Sequence, residues 1–335
     1  MSSLVTTVTE TLRYRGAIGQ WSWVLHRLSG LGVVLFFVIH IVDTSWAVFY
    51  PGLYEKAIAT YQTPLFTIGE FFLVAAVVYH AYNGLRITIL DYKPQWWFYQ
   101  KRAAYYVLGL TALTLVPVFV LMFSHVLHFY EGDPNILSLG QVLEAQIPFV
   151  IGIAAAIVAA IAYAAITGFL VKEPEAGKAG GQRVERFWWS YMRISGLLIV
   201  PLVFGHLAMM HLVQGVFDLT VAGTTVVGTG GLINDSGTAV EFVGHRWNHL
   251  VVGVALWRLY DFGLLALAAV HGFNGLRYVL TDYTMSNPTL RRAAIYLCVI
   301  GAVVMLVMGG GALLGSIDSS AIDMAIESQV RLGLR

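Results

Sequence analysis

Apolar residues run along this chain in seven blocks, roughly 28–49, 65–90, 103–128, 147–171, 194–216, 255–280 and 293–315. Each is close to the twenty or so residues that a helix needs to cross hydrocarbon. A backbone in lipid must satisfy its own polar groups, so the pattern predicts an all-α, polytopic membrane helix bundle of about seven spans. Two polar stretches interrupt it. Residues 172–189 hold Lys, Glu, Pro, Gly and Arg and read as a connector. Residues 217–250 are rich in Thr, Val and Gly, with room for a small hairpin.

The blocks repeat. His80-Ala-Tyr-Asn-Gly-Leu-Arg-Ile-Thr-Ile-Leu-Asp-Tyr92 returns as His271-Gly-Phe-Asn-Gly-Leu-Arg-Tyr-Val-Leu-Thr-Asp-Tyr283, with seven of thirteen positions identical. Arg27-Leu28-Ser29-Gly30 opens the first block and Arg193-Ile194-Ser195-Gly196 the fifth. His40 and His206 each lie thirteen residues after those arginines, and Glu70 and Asp261 each ten before His80 and His271. Two parallel three-helix units are therefore expected, over 1–146 and 190–315. Three crossings end on the wrong side for a parallel repeat, so the histidine-free block 147–171 is expected to return the chain, within a joining segment 147–189. A tail, 316–335, follows.

Composition agrees with a membrane protein: 58% of residues are hydrophobic and 12% charged, with mean hydropathy +0.71. No cleavable leader is expected, since Arg13, Arg15 and Arg27 precede the first block and no small-residue site closes it. If the N-terminus is cytoplasmic, fifteen of the twenty Lys and Arg residues fall inside. The positive-inside rule then puts the N-terminus in the cytoplasm and the C-terminus and tail outside. A net charge of +1 gives no reason to expect nucleic acid. The single cysteine, Cys298, lies in an apolar block, so disulfide scaffolds and an iron–sulfur cluster held by this chain alone are excluded.

The histidines carry the chemistry. At about 1.5 Å per residue, His40 lies about 20 Å outward of Arg27, and His80 about 9 Å outward of Arg86. The second unit repeats both depths. Pseudo-twofold symmetry faces His80 with His271 at an inner level and His40 with His206 at an outer one. Facing neutral imidazoles are what a six-coordinate b-type haem requires, so two levels imply two haems, with one haem the smaller alternative. The plainer reading of any one of them is an interhelical hydrogen bond. His125, His128 and His211 cluster toward the outer face as interfacial or proton-path groups, and His245 and His249 read as solvated.

Arg27, Arg86, Arg193 and Arg277 suit haem propionates, or else snorkel to the interface. Gly30, Gly84, Gly196 and Gly275 suit close approach of helices or of a flat macrocycle. Asp91-Tyr92 and Asp282-Tyr283 suit quinone contact and proton relay, Asp282-Tyr283 with Trp23 and Arg27 opposite, or simply an interfacial belt. Trp21, Trp23, Trp96, Trp97, Trp188 and Trp189 form an inner aromatic belt or a platform for a soluble partner. Asp43, Glu70 and Asp261 are outer proton or quinone groups; Arg258 is spaced to pair with Asp261.

These residues resemble the membrane-anchor cytochrome b subunits of succinate dehydrogenase and fumarate reductase. His26-Arg27-Leu28-Ser29-Gly30 is similar to the opening of the larger anchor, and His80 to its haem ligand. His271 to Gly275 and Thr281-Asp282-Tyr283 are similar to the smaller anchor. The chain thus resembles a fusion of both, over about 20 to 310. Met192 stands where the second unit would have the motif's histidine, and Trp23 where some members have a serine. The resemblance implies diheme ligands at His40, His80, His206 and His271. It implies a flavoprotein and an iron–sulfur partner on the cytoplasmic face, and electron transfer to a quinone, menaquinone for a diheme arrangement, in a prokaryotic cell membrane. A b561-like or hydrogenase-type electron carrier and a haem-free transporter or scaffold are the rival readings.

Overall fold

The computed structural model of the chain describes residues 16–170 and 181–335. Arg13, Arg15, Lys172 and Lys178, and residues 172–180 of the expected connector, lie outside the described residues. Seven helices are long and apolar enough to cross a membrane, and they coincide with the seven apolar blocks. They are α1 (Ile18–Phe49), α3 (Pro64–Tyr92), α4 (Gln100–Glu131), α5 (Leu139–Leu170), α6 (Gly181–Leu207), α8 (Leu256–Tyr283) and α9 (Pro288–Leu314). Three shorter helices, α2 (Pro51–Tyr61), α7 (Ala239–Asn248) and α10 (Ser319–Leu332), complete the described elements with a two-residue-per-strand hairpin, β1 (Thr224–Thr225) and β2 (Ile233–Asn234).

Local chemistry sets the helix ends. Proline opens α2, α3 and α9, where its missing N–H would have had no partner. Side chains of Thr238, Asn287 and Asp318 cap α7, α9 and α10 by accepting from Glu241, Leu290 and Ala321 N–H. Gly333, at φ +69°, ends α10 in the left-handed conformation that glycine adopts without strain. A 3₁₀ turn, Pro94–Tyr99, delivers the chain from α3 into α4.

Helices α1, α3 and α4 pack together, and α8 packs on both α6 and α9; α1 meets α8 and α9, and α3 meets α6. Helix α5 packs on α9 through Ala160 and Ala164, one turn apart, against Ala293. Small residues at that spacing let two backbones approach in lipid, where no hydrophobic force drives helices together. The rest of α5 is mostly exposed on the outside of the bundle.

The end expected outside carries a lid that the apolar blocks do not announce. Helices α2, α7 and α10 pack on one another and on α1 around Ala47, Tyr54, Ile58, Val240, Phe242, Trp247, Ile317, Ala321 and Ala325. Glu55 lies at its centre, 1% exposed. Its carboxylate accepts from Val240 N–H at 2.9 Å and Gln329 Nε2 at 3.0 Å. The tail 316–335 is therefore mostly helix α10, seated on α2 and α7.

Candidate functional site: paired helical histidines

The two repeat units build the same local structure around His80 and His271. His80 Nδ1 lies 3.1 Å from the His26 carbonyl and 3.3 Å from Ser29 Oγ. A carbonyl only accepts, so Nδ1 carries the proton and Nε2 keeps its lone pair. His271 Nδ1 lies 2.8 Å from Ser195 Oγ, whose own proton goes to the Tyr191 carbonyl at 2.6 Å. Ser195 therefore accepts from Nδ1, and Nε2 of His271 is again free. Both rings are held in the tautomer that a metal ligand needs.

Glycines leave room for these rings. A Cβ on Gly30 would sit 2.9 Å from His80 Cε1, and one on Gly196 3.2 Å from His271 Cε1. Gly84 and Gly275 are looser: added Cβ atoms would meet His26 Cε1 at 3.7 Å and Met192 Cε at 3.6 Å, ordinary contacts. The His26/Met192 difference between the units thus falls at one equivalent place. His26 stacks on His80 with ring centroids 4.0 Å apart.

The arginines divide into two kinds. Arg27 pairs with Asp282 at 2.5 Å, and Arg193 holds Asp91 Oδ2 through Nε at 3.0 Å and Nη2 at 2.6 Å. Each pair joins one unit to the other, as twofold symmetry requires. Arg27 also lies over Trp23 at 4.5 Å and Tyr283 at 5.6 Å. Arg193 lies over Trp189 at 4.3 Å, and Trp189 meets Tyr92 at 6.0 Å. The copies are not equally open: the Asp282 side chain is 58% exposed and that of Asp91 18%. Arg86 and Arg277 instead keep free donors. Arg86 Nη1 donates to Ser22 Oγ and Asn83 Oδ1, both at 2.7 Å, while its buried Nε has no partner. Arg277 Nε donates to Asn274 Oδ1 at 2.9 Å and Nη1 lies 3.5 Å from the exposed Glu185 carboxylate, while its buried Nη2 has no partner among the described residues.

At the outer level, the His40 and His206 rings approach edge to face with centroids 6.0 Å apart, and Phe36 stacks on His40 at 5.3 Å. Among the described residues, His206 Nδ1 is buried without a partner, and this pair lacks the serine partners of the inner one. Asp43, one turn beyond His40, is 1% exposed, and neither of its carboxyl oxygens has a partner among the described residues. His211 bonds Glu70 from a π-helical turn, Ala208–Val213, a widened turn often found at functional sites. Asp261 accepts from Trp247 Nε1 at 3.0 Å. Arg258 does not pair with it; that guanidinium donates to Trp247, Leu313 and Gly315 carbonyls and Asn248 Oδ1. Proximity in sequence lost to a nest of carbonyls under the lid. His125 approaches Asp218 at 3.8 Å, and His245, paired with Glu241 at 3.3 Å on α7, is half-buried rather than solvated.

Sequence reasoning passed over His26, Ser22, Asn83 and Trp247 as site neighbours. Ser29 and Ser195 were visible in the repeated Arg-x-Ser-Gly, but nothing in the string says that they face the histidine of another helix.

Fold and site together define a polytopic, all-α membrane subunit built on paired helical histidines in two similar units. The family model described as succinate dehydrogenase/fumarate reductase transmembrane subunit matches residues 6–121 and 176–308, most of the chain. The protein belongs to that family. It is similar to the succinate dehydrogenase 2 membrane subunit SdhC of Mycobacterium tuberculosis (strain ATCC 25618 / H37Rv), 35% identical over 130 residues, which cover 37% of this chain and 96% of that relative. No solved structure matches.

Proposed function

We propose that this subunit anchors a succinate:quinone oxidoreductase and carries electrons from a docked iron–sulfur subunit through b-type haem to a membrane quinone, menaquinone in the two-haem form. A flavoprotein completes the assembly on the cytoplasmic face, with the N-terminus inside and the C-terminus outside. The observation that carries the reading is the shared tautomer of His80 and His271. Two imidazoles in matching places of two repeats both keep Nε2 free, which a plain interhelical hydrogen bond does not call for.

Haem, where bound, supplies one-electron relay across the low-dielectric interior. The chain's own residues do the rest. His80 and His271 are the inner ligands, and His40 and His206 the outer ones. Ser29, Ser195 and the His26 carbonyl orient the inner rings, and Gly30 and Gly196 make room for them. Arg86, which has no carboxylate partner among the described residues, fits a propionate better than Arg27 and Arg193, whose guanidinium groups are taken by aspartates; Arg277, paired with the exposed Glu185 at 3.5 Å, still keeps a buried Nη2 free for one. Asp282 and Tyr283, exposed beside Trp23 and Arg27, fit a quinone carbonyl, with Asp282 as the proton group. The half-buried Asp91–Arg193 pair fits a structural copy of that site. Asp43, Glu70 and Asp261 fit proton exchange at the outer level. The units over 1–146 and 190–315 act as two fused anchors, with 147–189 returning the chain.

The test is a pyridine haemochrome assay on the purified complex, with haem counted per copy of this chain. Two haems support the two-level scheme. One keeps the inner pair and reduces His40 and His206 to structural or proton roles. None, in a complex that co-purifies with its flavoprotein and iron–sulfur partners, sinks the haem reading.

A further inference from the structure

Among the described residues, Arg246 is a buried cation without a counter-ion. It sits on α7, in the lid, and is 5% exposed. Its one hydrogen bond among the described residues is from Nη1 to the Val227 carbonyl at 3.0 Å, and its guanidinium lies over Trp257 at 4.3 Å. No carboxylate among the described residues comes within ion-pair distance. Asp261 instead accepts from Trp247 Nε1 at 3.0 Å. Trp257 in turn meets Tyr260 with ring centroids 5.8 Å apart, and the Tyr260 hydroxyl donates to the Leu202 carbonyl, one helical turn before His206. The neighbouring cation, Arg258, has spent its donors on carbonyls and an amide. A guanidinium taken out of water is costly unless paired, and five N–H donors with one acceptor leave a site suited to a carboxylate.

We propose that Arg246 is the anion-binding group of the outer site, receiving a propionate carboxylate of a haem held by His40 and His206. This rests on the two-haem reading. It adds a residue that no repeat announces: Arg246 belongs to the 217–250 segment, which the first unit lacks, so the outer site is anchored from the lid rather than by symmetry. A positive charge next to a propionate favours the reduced haem, the state with one less positive charge at iron. Arg246 is thus a positioning and tuning residue.

The experiment uses the assembled complex as wild type, Arg246→Gln and Arg246→Lys, with haem counted and midpoint potentials taken by spectroelectrochemical titration. His206→Ala identifies the outer transition. The expected result is two haems in the wild type. In Arg246→Gln the outer potential falls, or that haem is lost while the inner one stays; Arg246→Lys lies between. Two haems with unshifted potentials in Arg246→Gln would make Arg246 a strut of the lid and overturn the proposal. If Arg246→Gln does not assemble, Arg246→Met, which keeps the apolar stem and removes the charge, decides: an unchanged outer potential and normal haem count overturn it, and a fall in the outer potential or loss of that haem supports it. A wild type with a single haem removes the outer cofactor itself, a failure of the underlying reading that is told apart by the wild-type count alone.

Discussion

Ser195 Oγ stands 2.8 Å from Nδ1 of His271 and gives its own proton to the Tyr191 carbonyl, so it can only accept from the ring. One hydroxyl thereby chooses the tautomer of an intramembrane histidine on another helix. Groups that orient a metal-bound histidine typically change affinity by about 10–100-fold when removed. Ser195→Ala should therefore weaken haem retention within that range while the complex still assembles. Haem loss to apomyoglobin, timed by absorbance, measures it. Unchanged retention would make Ser195 a helix-stabilising hydroxyl only.

The glycines divide by clearance. Gly30→Ala forces a methyl to 2.9 Å from His80 Cε1, closer than real contacts allow, and Gly196→Ala one to 3.2 Å from His271. Both should lower haem content, Gly30→Ala the more. Gly84→Ala and Gly275→Ala meet ordinary contacts and should leave haem content intact, with stability raised by up to about 1 kcal/mol from helix propensity. Haem-to-protein ratio and thermal unfolding across the four variants check the order.

The Arg193–Asp91 pair ties α6 to α3 with two hydrogen bonds to one carboxylate oxygen in a mostly buried setting. Asp91→Ala should cost about 2 kcal/mol, the range for hydrogen bonds to charged groups. Arg193→Ala should cost a similar amount and the double variant little more, since the two residues act as one unit. A double-mutant cycle on unfolding of the assembled protein gives the coupling. Asp282→Asn acts on the more exposed Arg27 pair and should lower quinone reduction more than stability.

Glu55 gives the lid a pH dependence. Burial pushes its carboxyl up from 4.5 to about 7, against the pull of the hydrogen bonds from Val240 and Gln329. The folded lid then holds a proton that an open one releases above pH 4.5. Lid stability is fullest below that pH, falls as pH rises towards 7, and levels off above it. Protection factors for residues 51–61 and 319–332, corrected for the base-catalysed rise in intrinsic exchange, should be lower at pH 8 than at pH 5. Glu55→Gln, neutral at every pH, should remove the difference.

Much of this protein is legible in one dimension. Seven apolar blocks became seven spanning helices because a backbone in lipid has almost no other way to satisfy its polar groups. The repeat set His40, His80, His206 and His271 at matching positions along their helices, a spacing that constant helical rise converts into expected depth. The pairings across the bundle were not legible. That Arg27 meets Asp282 and Arg193 meets Asp91 depends on how two similar units face each other, and in-helix spacing alone had favoured Arg258 with Asp261 instead. The lid was hidden for a different reason. Helices α2, α7 and α10 are too short and too polar to register as apolar blocks, and only their mutual burial around Glu55 makes them structure. The sequence alone determined the apolar spans, the repeated strings and the spacing of each histidine along its helix, since periodicity and helical rise are local. Tertiary structure decided which charges are neutralised, which tautomer each inner histidine holds and where Arg246 comes to rest, because those follow from contacts between residues far apart in the chain.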